Sequence, residues 1–371
     1  MDFDYSDDQK FLKEEARKFL AAHCDVGVVR GVLDNADRSF DEKLWKGVTE
    51  QGWLGASIPE EHGGLGLGRV ELCAIAEELG RAVAPIPFAS TVYVLAEGLM
   101  AYGSDAQKAS ILPRIAAGEV IGCLATSEGP GVVGPSTLQC RVDGGKLSGT
   151  KIPVTDGDVA DIALVLASEG GRPGLFLVDL KGAGVSRETL KSLDPTRGVA
   201  KIVFDGAAAE RVGDVGAGFE VVQGILDRAA VLLAFEQLGG ADRCLEMAKE
   251  YALGRYAFGR VIAGYQAIKH KLADMYVKNE VARSNAYYGA WALNDGAPEL
   301  PVAAAAARIA ASDAFWFASK ENIQIHGGMG FTWDVDCHLY YRRSRQLSLV
   351  AGAPKVWKER LVAELEKKNA A

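Results

Sequence analysis

The sequence predicts a multi-domain α+β fold with a helical amino-terminal domain at residues 1–117, a central β-domain at 118–217 and a carboxy-terminal antiparallel four-helix bundle at 218–371. Apolar residues recur at helical spacing in the first and last regions, whereas short β-rich runs separated by Gly, Pro and Asp fill the middle. The 371 residues, 49% of them hydrophobic, are enough for two or three domains with a large buried core.

In the first region, two sequences have the form of a capping box, in which a Ser side chain and a Glu or Gln three residues later close the start of a helix. They are Ser39–Glu42 and Ser104–Gln107, and each predicts that a helix begins there. The segment 58–68 contains too many glycines for a helix interior, because glycine loses the most conformational freedom on folding. We therefore expect a loop between helices at this point.

The middle region contains runs that favour strands because they are rich in β-branched and apolar residues. They are 120–126, 162–167, 174–179 and 200–205. After Gly218 the helical period returns, and no proline occurs between Pro195 and Pro298, which favours long helices in a bundle. Two further helices are predicted, one from near Leu300 to Ile325 and one after Pro354.

The net charge of −8 argues against a general affinity for nucleic acid or an anionic membrane, since both favour a basic surface. The acidic amino terminus lacks the positive charge of targeting signals, and no apolar run reaches the about 18 residues of a membrane span. We therefore interpret the protein as cytoplasmic, with proteins or small molecules as partners. The six cysteines have no CxxC spacing, so neither a disulfide framework nor a zinc site is indicated.

Several common functional motifs do not occur. Neither GxGxxG nor the P-loop pattern is found among the 43 glycines, which disfavours a Rossmann dinucleotide site. No Gly-x-Ser-x-Gly elbow is available for a serine nucleophile, and no two of the five histidines have the spacing of a metal-binding pair on a helix. Hydrolase and metalloenzyme functions are therefore disfavoured.

Two segments of the last region give a more specific signal. Residues 255–268 read RYAFGRVIAGYQAI and residues 324–332 read QIHGGMGFT, and together they resemble acyl-CoA dehydrogenases. Residues 58–66 (IPEEHGGLG) and 151–157 (KIPVTDG) resemble the amino-domain loop and the β-domain flavin segment of that family. The resemblance therefore spans almost the whole chain and implies the acyl-CoA dehydrogenase fold, FAD as cofactor and an acyl-CoA thioester as substrate.

By this resemblance, residues of the bundle reach the FAD of a neighbouring subunit, so flavin binding would require an oligomer. An FAD pyrophosphate needs a cation and hydrogen-bond donors, which an arginine and the exposed N–H groups of a glycine pair supply. Taken singly, each residue also fits a plainer interpretation as a surface arginine, a core phenylalanine or a turn glycine. The predicted cofactor-binding residues are Arg255, Phe258, Gln266, Gln324, Gly327 and Gly328 in the bundle, and Ser127 and Thr155 in the β-domain.

The family reaction needs a buried glutamate that removes the α proton of the acyl-CoA while a hydride passes to the flavin. Most members carry it in a Glu-Gly-Thr motif, which falls here on Ala351–Ala353 when counted on from Tyr340. Other members carry it on the first long helix of the bundle, where this sequence has Ala229. Because alanine cannot transfer a proton, we predict that this chain has no catalytic residue of its own. Loss of a general base reduces the rate by about 10²–10⁴-fold.

Family residues that touch the flavin within the same subunit are also altered. Ser127–Gly129 replaces Thr-Glu-Pro, Pro153 replaces a tryptophan, and Ala353 replaces the threonine of the base motif. Residues that serve a neighbour's flavin are retained. This pattern resembles the non-catalytic subunits of bacterial heterotetrameric acyl-CoA dehydrogenases, such as those of steroid catabolism. It implies a homologous catalytic subunit and an electron-transfer flavoprotein as partners.

Alternatives to the helper-subunit interpretation stay open at this point. The chain could be a self-sufficient homo-oligomeric flavoenzyme, with a displaced base or with a reaction such as elimination that needs none, or a scaffold without flavin. Glu236 lies two turns beyond Ala229, ~10 Å farther along the helix. Asp334 and Asp336 follow the glycine loop, which comprises residues 327–331, and acids after a turn are more often solvated caps. We expect none of these three carboxylates to act as the base.

Overall fold

The structure is a computed structural model that describes residues 5–35 and 37–370. The first four residues, on which part of the prediction about the amino terminus rests, lie outside these ranges. Within them, no helix has the length and apolar character needed to cross a membrane. Helices come first, strands follow and helices return, which confirms the predicted fold class.

Helices form the first region. The predicted capping box at Ser104 and Gln107 is present, with each side chain accepting a hydrogen bond from the other residue's backbone N–H. The prediction at Ser39 was wrong, because the cap is Asp41, whose carboxylate accepts the N–H of Leu44 at 2.7 Å. The helices are α1 (Asp7–His23), α2 (Val26–Leu33), α3 (Glu42–Glu50), α4 (Arg69–Arg81), a π-helical segment (Ala89–Ala96) that continues into α5 (Glu97–Tyr102), and α6 (Asp105–Ala116).

The glycine-rich segment 58–68 is a loop between helices, as predicted. Gly63 and Gly66 have φ of +77° and +62°, a backbone region that residues with a side chain rarely adopt. A Cβ on Gly64 would lie 2.0 Å from the carbonyl oxygen of Ile58. The glycines therefore allow a chain reversal that other residues would block.

The strands form one eight-stranded mixed sheet with the order β6-β7-β3-β2-β4-β5-β8, in which β1 and β2 pair with β4 in parallel. Each of the four predicted runs coincides with or overlaps a strand. The long pairing of β3 with β7 is antiparallel and has two register shifts, one after Leu147 and one after Lys151. The strands are β1 (Gly122–Ala125), β2 (Arg141–Asp143), β3 (Lys146–Thr155), β4 (Ile162–Glu169), β5 (Arg172–Asp179), β6 (Val185–Thr189), β7 (Val199–Ala208) and β8 (Glu210–Val212).

Long helices form the last region. The helix predicted from Leu300 to Ile325 runs from Leu300 to His326, and the last one begins at Pro354 as predicted. One helix, α10, was not predicted. The elements are α7 (Gly218–Gly254), a short hairpin of β9 (Tyr256–Ala257) and β10 (Arg260–Val261), α8 (Gln266–Asn294), α9 (Leu300–His326), α10 (Cys337–Leu349) and α11 (Pro354–Ala370).

The described residues form two compact units. One contains residues 5–29, 69–84 and 230–370, and the other contains residues 30–35, 37–68 and 85–229. The division of the sequence into three domains, at residues 1–117, 118–217 and 218–371, remains a proposal.

In the first unit, α4 and α7 cross with their backbones in contact, at one glycine on each helix. A Cβ on Gly80 would lie 1.8 Å from the carbonyl oxygen of Glu236, and a Cβ on Gly239 would lie 1.7 Å from that of Glu77. Because the opposing atoms belong to backbone, neither side can move aside as a flexible side chain could.

We expect Gly239→Ala to lower the free energy of unfolding by about 2 kcal/mol, because overpacking at a rigid contact forces the helices apart. The matched control is Gly254→Ala at the end of the same helix, where an added Cβ meets nothing within 4 Å. There the substitution is expected to be neutral or slightly stabilising, since alanine favours the helix. Urea unfolding measures both variants, and equal stabilities for the two would contradict the close crossing.

Candidate functional site

The six predicted residues of the bundle lie at one end of helices α7, α8 and α9. Helices α8 and α9 are antiparallel, with their register set by the Lys271–Glu321 ion pair and by Lys278, whose Nζ lies 5.1 Å from the ring centre of Phe317. Continuing this register brings Gln266, the first residue of α8, to the last turn of α9 and the glycine loop. Gln266, Gln324, Gly327 and Gly328 are therefore neighbours in the fold.

The end of α7 lies against the same loop. The ring of Tyr251 stacks on His326, the last residue of α9, with centroids 4.2 Å apart and planes inclined by 26°. The hydroxyl of Tyr251 lies 3.7 Å from the sulfur of Met329. Arg255 follows Tyr251 by one helical turn, so it also belongs to this end of the bundle.

Arg255 and Phe258 are open to solvent. The guanidinium of Arg255 is exposed and forms no ion pair with any residue of the described ranges. Phe258 is 97% exposed and stands on a left-handed turn with φ of +52°, which a bulky residue adopts only at a cost of about 1–2 kcal/mol. Phe331, in the glycine loop, is 83% exposed. An apolar surface of this kind is typical of an interaction site.

The glycine loop leaves backbone accessible to a ligand at Gly328, whereas the N–H of Gly327 donates to the carbonyl of Gln324. Gly327 has φ of +61° and ψ of −140°, a combination open to glycine alone. An added Cβ would meet nothing within 4 Å at Gly327 or Gly328, whereas at Gly330 it would lie 2.5 Å from the carbonyl oxygen of Ile323. Gly330 is thus needed for packing within the chain. Space around Gly328 lies on the outside, where a ligand or a partner can approach the backbone.

These observations fit a dinucleotide pyrophosphate. The end of the bundle offers an exposed guanidinium, open space at a glycine pair, two exposed amides at Gln266 and Gln324, and an exposed aromatic ring. Charged phosphates bind arginine and backbone N–H groups through short, strong hydrogen bonds. The residues at this end of the bundle are therefore suited to the phosphate and adenine part of FAD.

In the second unit, Thr155 ends β3, and Ser127 lies beside the same strand at Ile152. The carbonyl of Ser127 accepts the N–H of Ile152 at 2.9 Å, and Glu128 forms a β-bridge to Ile152. Thr155 is the last residue of β3, and both Ser127 and Thr155 are half-buried. The hydrogen bond therefore holds Ser127 next to Ile152, three residues before Thr155, in the segment that resembles a flavin-binding strand.

Two buried ion pairs hold this segment, and sequence reasoning missed both. Lys151 is fully buried and donates to Glu128 at 2.8 Å. Burial by itself would raise the pKa of Glu128, but Lys151 and the N–H groups of Cys140 and Gln139 outweigh it and lower that pKa. The second pair joins Asp156, directly after Thr155, to Arg197.

The Asp156–Arg197 pair is bidentate. The Nε and Nη2 atoms of Arg197 lie 3.2 and 2.7 Å from the two carboxylate oxygens, and Ser90 donates to the same carboxylate. Both charged side chains are almost completely buried. Asp156 has φ of +54°, so the pair holds the chain in a left-handed conformation just beyond Thr155.

Both expected positions of the base carry alanine, each in its own unit. Ala229 is fully buried on α7. Ala351 has φ of +62°, and its carbonyl accepts the indole N–H of Trp357 at 3.0 Å. The preceding carbonyl, that of Val350, accepts from the buried guanidinium of Arg308 at 2.6 Å. Burial lowers the pKa of Arg308 to about 10, so it is still charged at neutral pH.

The three carboxylates considered as replacement bases are placed as follows. Glu236 is buried, with its carboxylate 3.7 Å from the buried guanidinium of Arg343. Asp334 is exposed, and Asp336 is half-exposed at the start of α10. Glu97, which sequence reasoning did not single out, is fully buried and lies 3.5 Å from Arg228 and 3.3 Å from the hydroxyl of Ser57.

Comparison with known proteins gives one family over most of the chain. The families described as "Acyl-CoA dehydrogenase, N-terminal domain" and "Acyl-CoA dehydrogenase, C-terminal domain" match residues 6–119 and 216–365. The chain is 33% identical to the acyl-CoA dehydrogenase IpdE2 of Mycobacterium tuberculosis, over 97% of this chain and 98% of that one.

Two solved structures have nearly the same fold. One is described as the ChsE4-ChsE5 complex from Mycobacterium tuberculosis; it is 27% identical with a TM-score of 0.89, and the match covers 99% of both chains. The other is described under the electron transferring flavoprotein of Acidaminococcus fermentans; it is 28% identical with a TM-score of 0.90, covering 98% of this chain and 99% of that one.

Proposed function

Because this chain belongs to the acyl-CoA dehydrogenase family, we propose that it is the subunit without a base in a mixed oligomer, where it completes the FAD site of a homologous catalytic subunit. The substrate of the assembly is an acyl-CoA thioester, and its electrons pass to an electron-transfer flavoprotein. FAD supplies the hydride acceptor for oxidation of the Cα–Cβ bond.

One contrast carries this proposal. The side chains suited to a neighbour's flavin are open, with Phe258 exposed and Arg255 forming no ion pair with the residues that the structure describes, while both base positions carry alanine. A chain that worked alone would need a carboxylate beside its substrate. The likeness to a chain of the ChsE4-ChsE5 complex supports an assembly of two different subunits, and the likeness to a structure described under an electron transferring flavoprotein supports the choice of electron acceptor.

In this assembly, Arg255 would bind the pyrophosphate of the partner's FAD through charge-assisted hydrogen bonds. The N–H group of Gly328, next to Gly327, would donate to the same phosphates, and Gln266 and Gln324 would add neutral hydrogen bonds. Phe258 would cover the apolar part of the site and exclude water. Ser127 and Thr155 are the residues available to a flavin in this chain's own β-domain.

The test is to co-express the chain with a homologous dehydrogenase subunit encoded beside it and to measure flavin content and acyl-CoA-dependent dye reduction. We expect about one FAD for each pair of chains, and a rate at least about 100-fold above that of the chain alone, since only the partner has a base. A lone chain that is yellow and turns over acyl-CoA at the mixed-oligomer rate would overturn the proposal. A colourless chain that captures no partner would favour a scaffold.

A second candidate function is a self-sufficient enzyme with a displaced base, and one observation favours it. Glu97 is a buried carboxylate whose ion-pair partner, Arg228, directly precedes Ala229. If the lone chain is active, Glu97→Gln should abolish that activity, while Asp334→Asn at the exposed carboxylate should not change it. If Glu97→Gln leaves the activity intact, Glu97 is not the base.

A further inference from the structure

Two aromatic side chains that are not among the predicted site residues support the glycine loop Gly327–Phe331. They are His326 and Tyr251. His326 is 8% exposed, and its Nδ1 lies 2.9 Å from the backbone carbonyl of Asn322. Since a carbonyl can only accept, Nδ1 carries the proton in this hydrogen bond. The bond fixes the plane of the imidazole, and Tyr251 stacks on that plane.

Two contacts hold the loop at Met329. On the far side, the carbonyl of Met329 accepts from the N–H of Thr332 at 3.0 Å and from its hydroxyl at 2.8 Å. On the near side, Met329 is reached by the hydroxyl of Tyr251. Gly327 and Gly328 lie between these supports and His326, with open space around them.

We propose that Tyr251 and His326 are positioning residues, which hold the loop so that Gly328 presents its N–H group to the anionic part of the flavin dinucleotide. This inference rests on the proposed function. Glycine-rich backbone loses the most entropy when it is ordered, and a loop ordered beforehand does not lose that entropy on binding. The Tyr251–His326 stack orders the loop without touching the ligand.

The experiment uses the mixed oligomer and measures its FAD dissociation constant, together with the unfolding midpoint of each variant. Tyr251→Leu removes the stack and is expected to weaken FAD binding by about 3- to 10-fold, the ratio that corresponds to loss of an aromatic pair. Tyr251→Phe keeps the stack and should change the constant less than Tyr251→Leu does. His326→Phe, which keeps a ring against Tyr251, should likewise weaken binding less than His326→Leu.

A double-mutant cycle separates positioning from a general loss of stability. In a Gly328→Ala background the loop can no longer offer its backbone to the phosphates, so Tyr251→Leu should add little further weakening. The control is Tyr288→Leu, which removes a similar stack on Trp291 near the other end of α8 and should leave FAD binding unchanged.

An unchanged dissociation constant for Tyr251→Leu would overturn the inference, and so would equal weakening in both backgrounds. These failures differ from failure of the proposed function, in which the unsubstituted oligomer would itself bind no FAD.

Discussion

Replacing Arg197 with methionine is expected to lower the free energy of unfolding by about 3–5 kcal/mol, because it leaves the buried carboxylate of Asp156 without its counter-ion. Both side chains are almost completely buried and joined by two hydrogen bonds. Attraction between the charges offsets the loss of hydration only while both are present. Urea unfolding of the purified chain measures the effect.

Two controls make this result specific. The double variant Arg197→Met with Asp156→Asn removes both charges and should recover part of the loss, since no charge is then left buried alone. Lys181→Met breaks the Lys181–Asp161 pair, in which the lysine side chain is 68% exposed, and should change stability by less than about 1 kcal/mol. An Arg197→Met loss as small as that of Lys181→Met would contradict a structural role for the buried pair.

Gly328→Ala is expected to weaken FAD binding to the mixed oligomer by about 10- to 100-fold while leaving the stability of the chain unchanged. Each hydrogen bond to a charged group contributes about 1.5–3 kcal/mol, and each 1.4 kcal/mol is a factor of ten. The added Cβ meets nothing within 4 Å among the described residues, so we expect its effect to come from whatever approaches the loop from outside. Flavin fluorescence on dilution of the oligomer measures the affinity.

Gly330→Ala is the comparison variant, two residues along the same loop. There the added Cβ would lie 2.5 Å from the carbonyl of Ile323 and 3.0 Å from the Cβ of His326. We therefore expect a lower unfolding midpoint for Gly330→Ala, which Gly328→Ala should not show. Unchanged flavin affinity in Gly328→Ala would mean that no ligand contacts this backbone.

The long helices were predictable because their apolar spacing is regular over many turns. Helix α9 begins at the predicted residue and ends one residue beyond the predicted end. Helix α10 was not predicted, because its sequence is dominated by polar and charged residues. Its Arg343 is buried by contacts with Glu236 and with the carbonyl of Ala84, which are distant in sequence. No local pattern reveals such burial.

The grouping of the bundle residues at one place was predictable, while their role in flavin binding stays a prediction. The bundle residues lie in two short segments with a family resemblance, and helix geometry brings those segments together. The ion pairs that support the β-domain segment could not be predicted, because Asp156 and Arg197 are 41 residues apart and either one alone resembles a surface charge. The cap of helix α3 could not be identified from the local sequence, because Ser39 and Asp41 are both good helix caps and only the folded structure shows that Asp41 is used.

The contact between Tyr251 and the sulfur of Met329 makes the glycine loop sensitive to oxidation. The Met329 side chain is about half exposed, at 47%, and is therefore accessible to peroxide. Conversion to the sulfoxide turns an apolar thioether into a polar group and changes the surface on which the tyrosine hydroxyl rests. Oxidation of Met329 would thus change the contact between the loop and Tyr251, and methionine sulfoxide reductase would reverse the change.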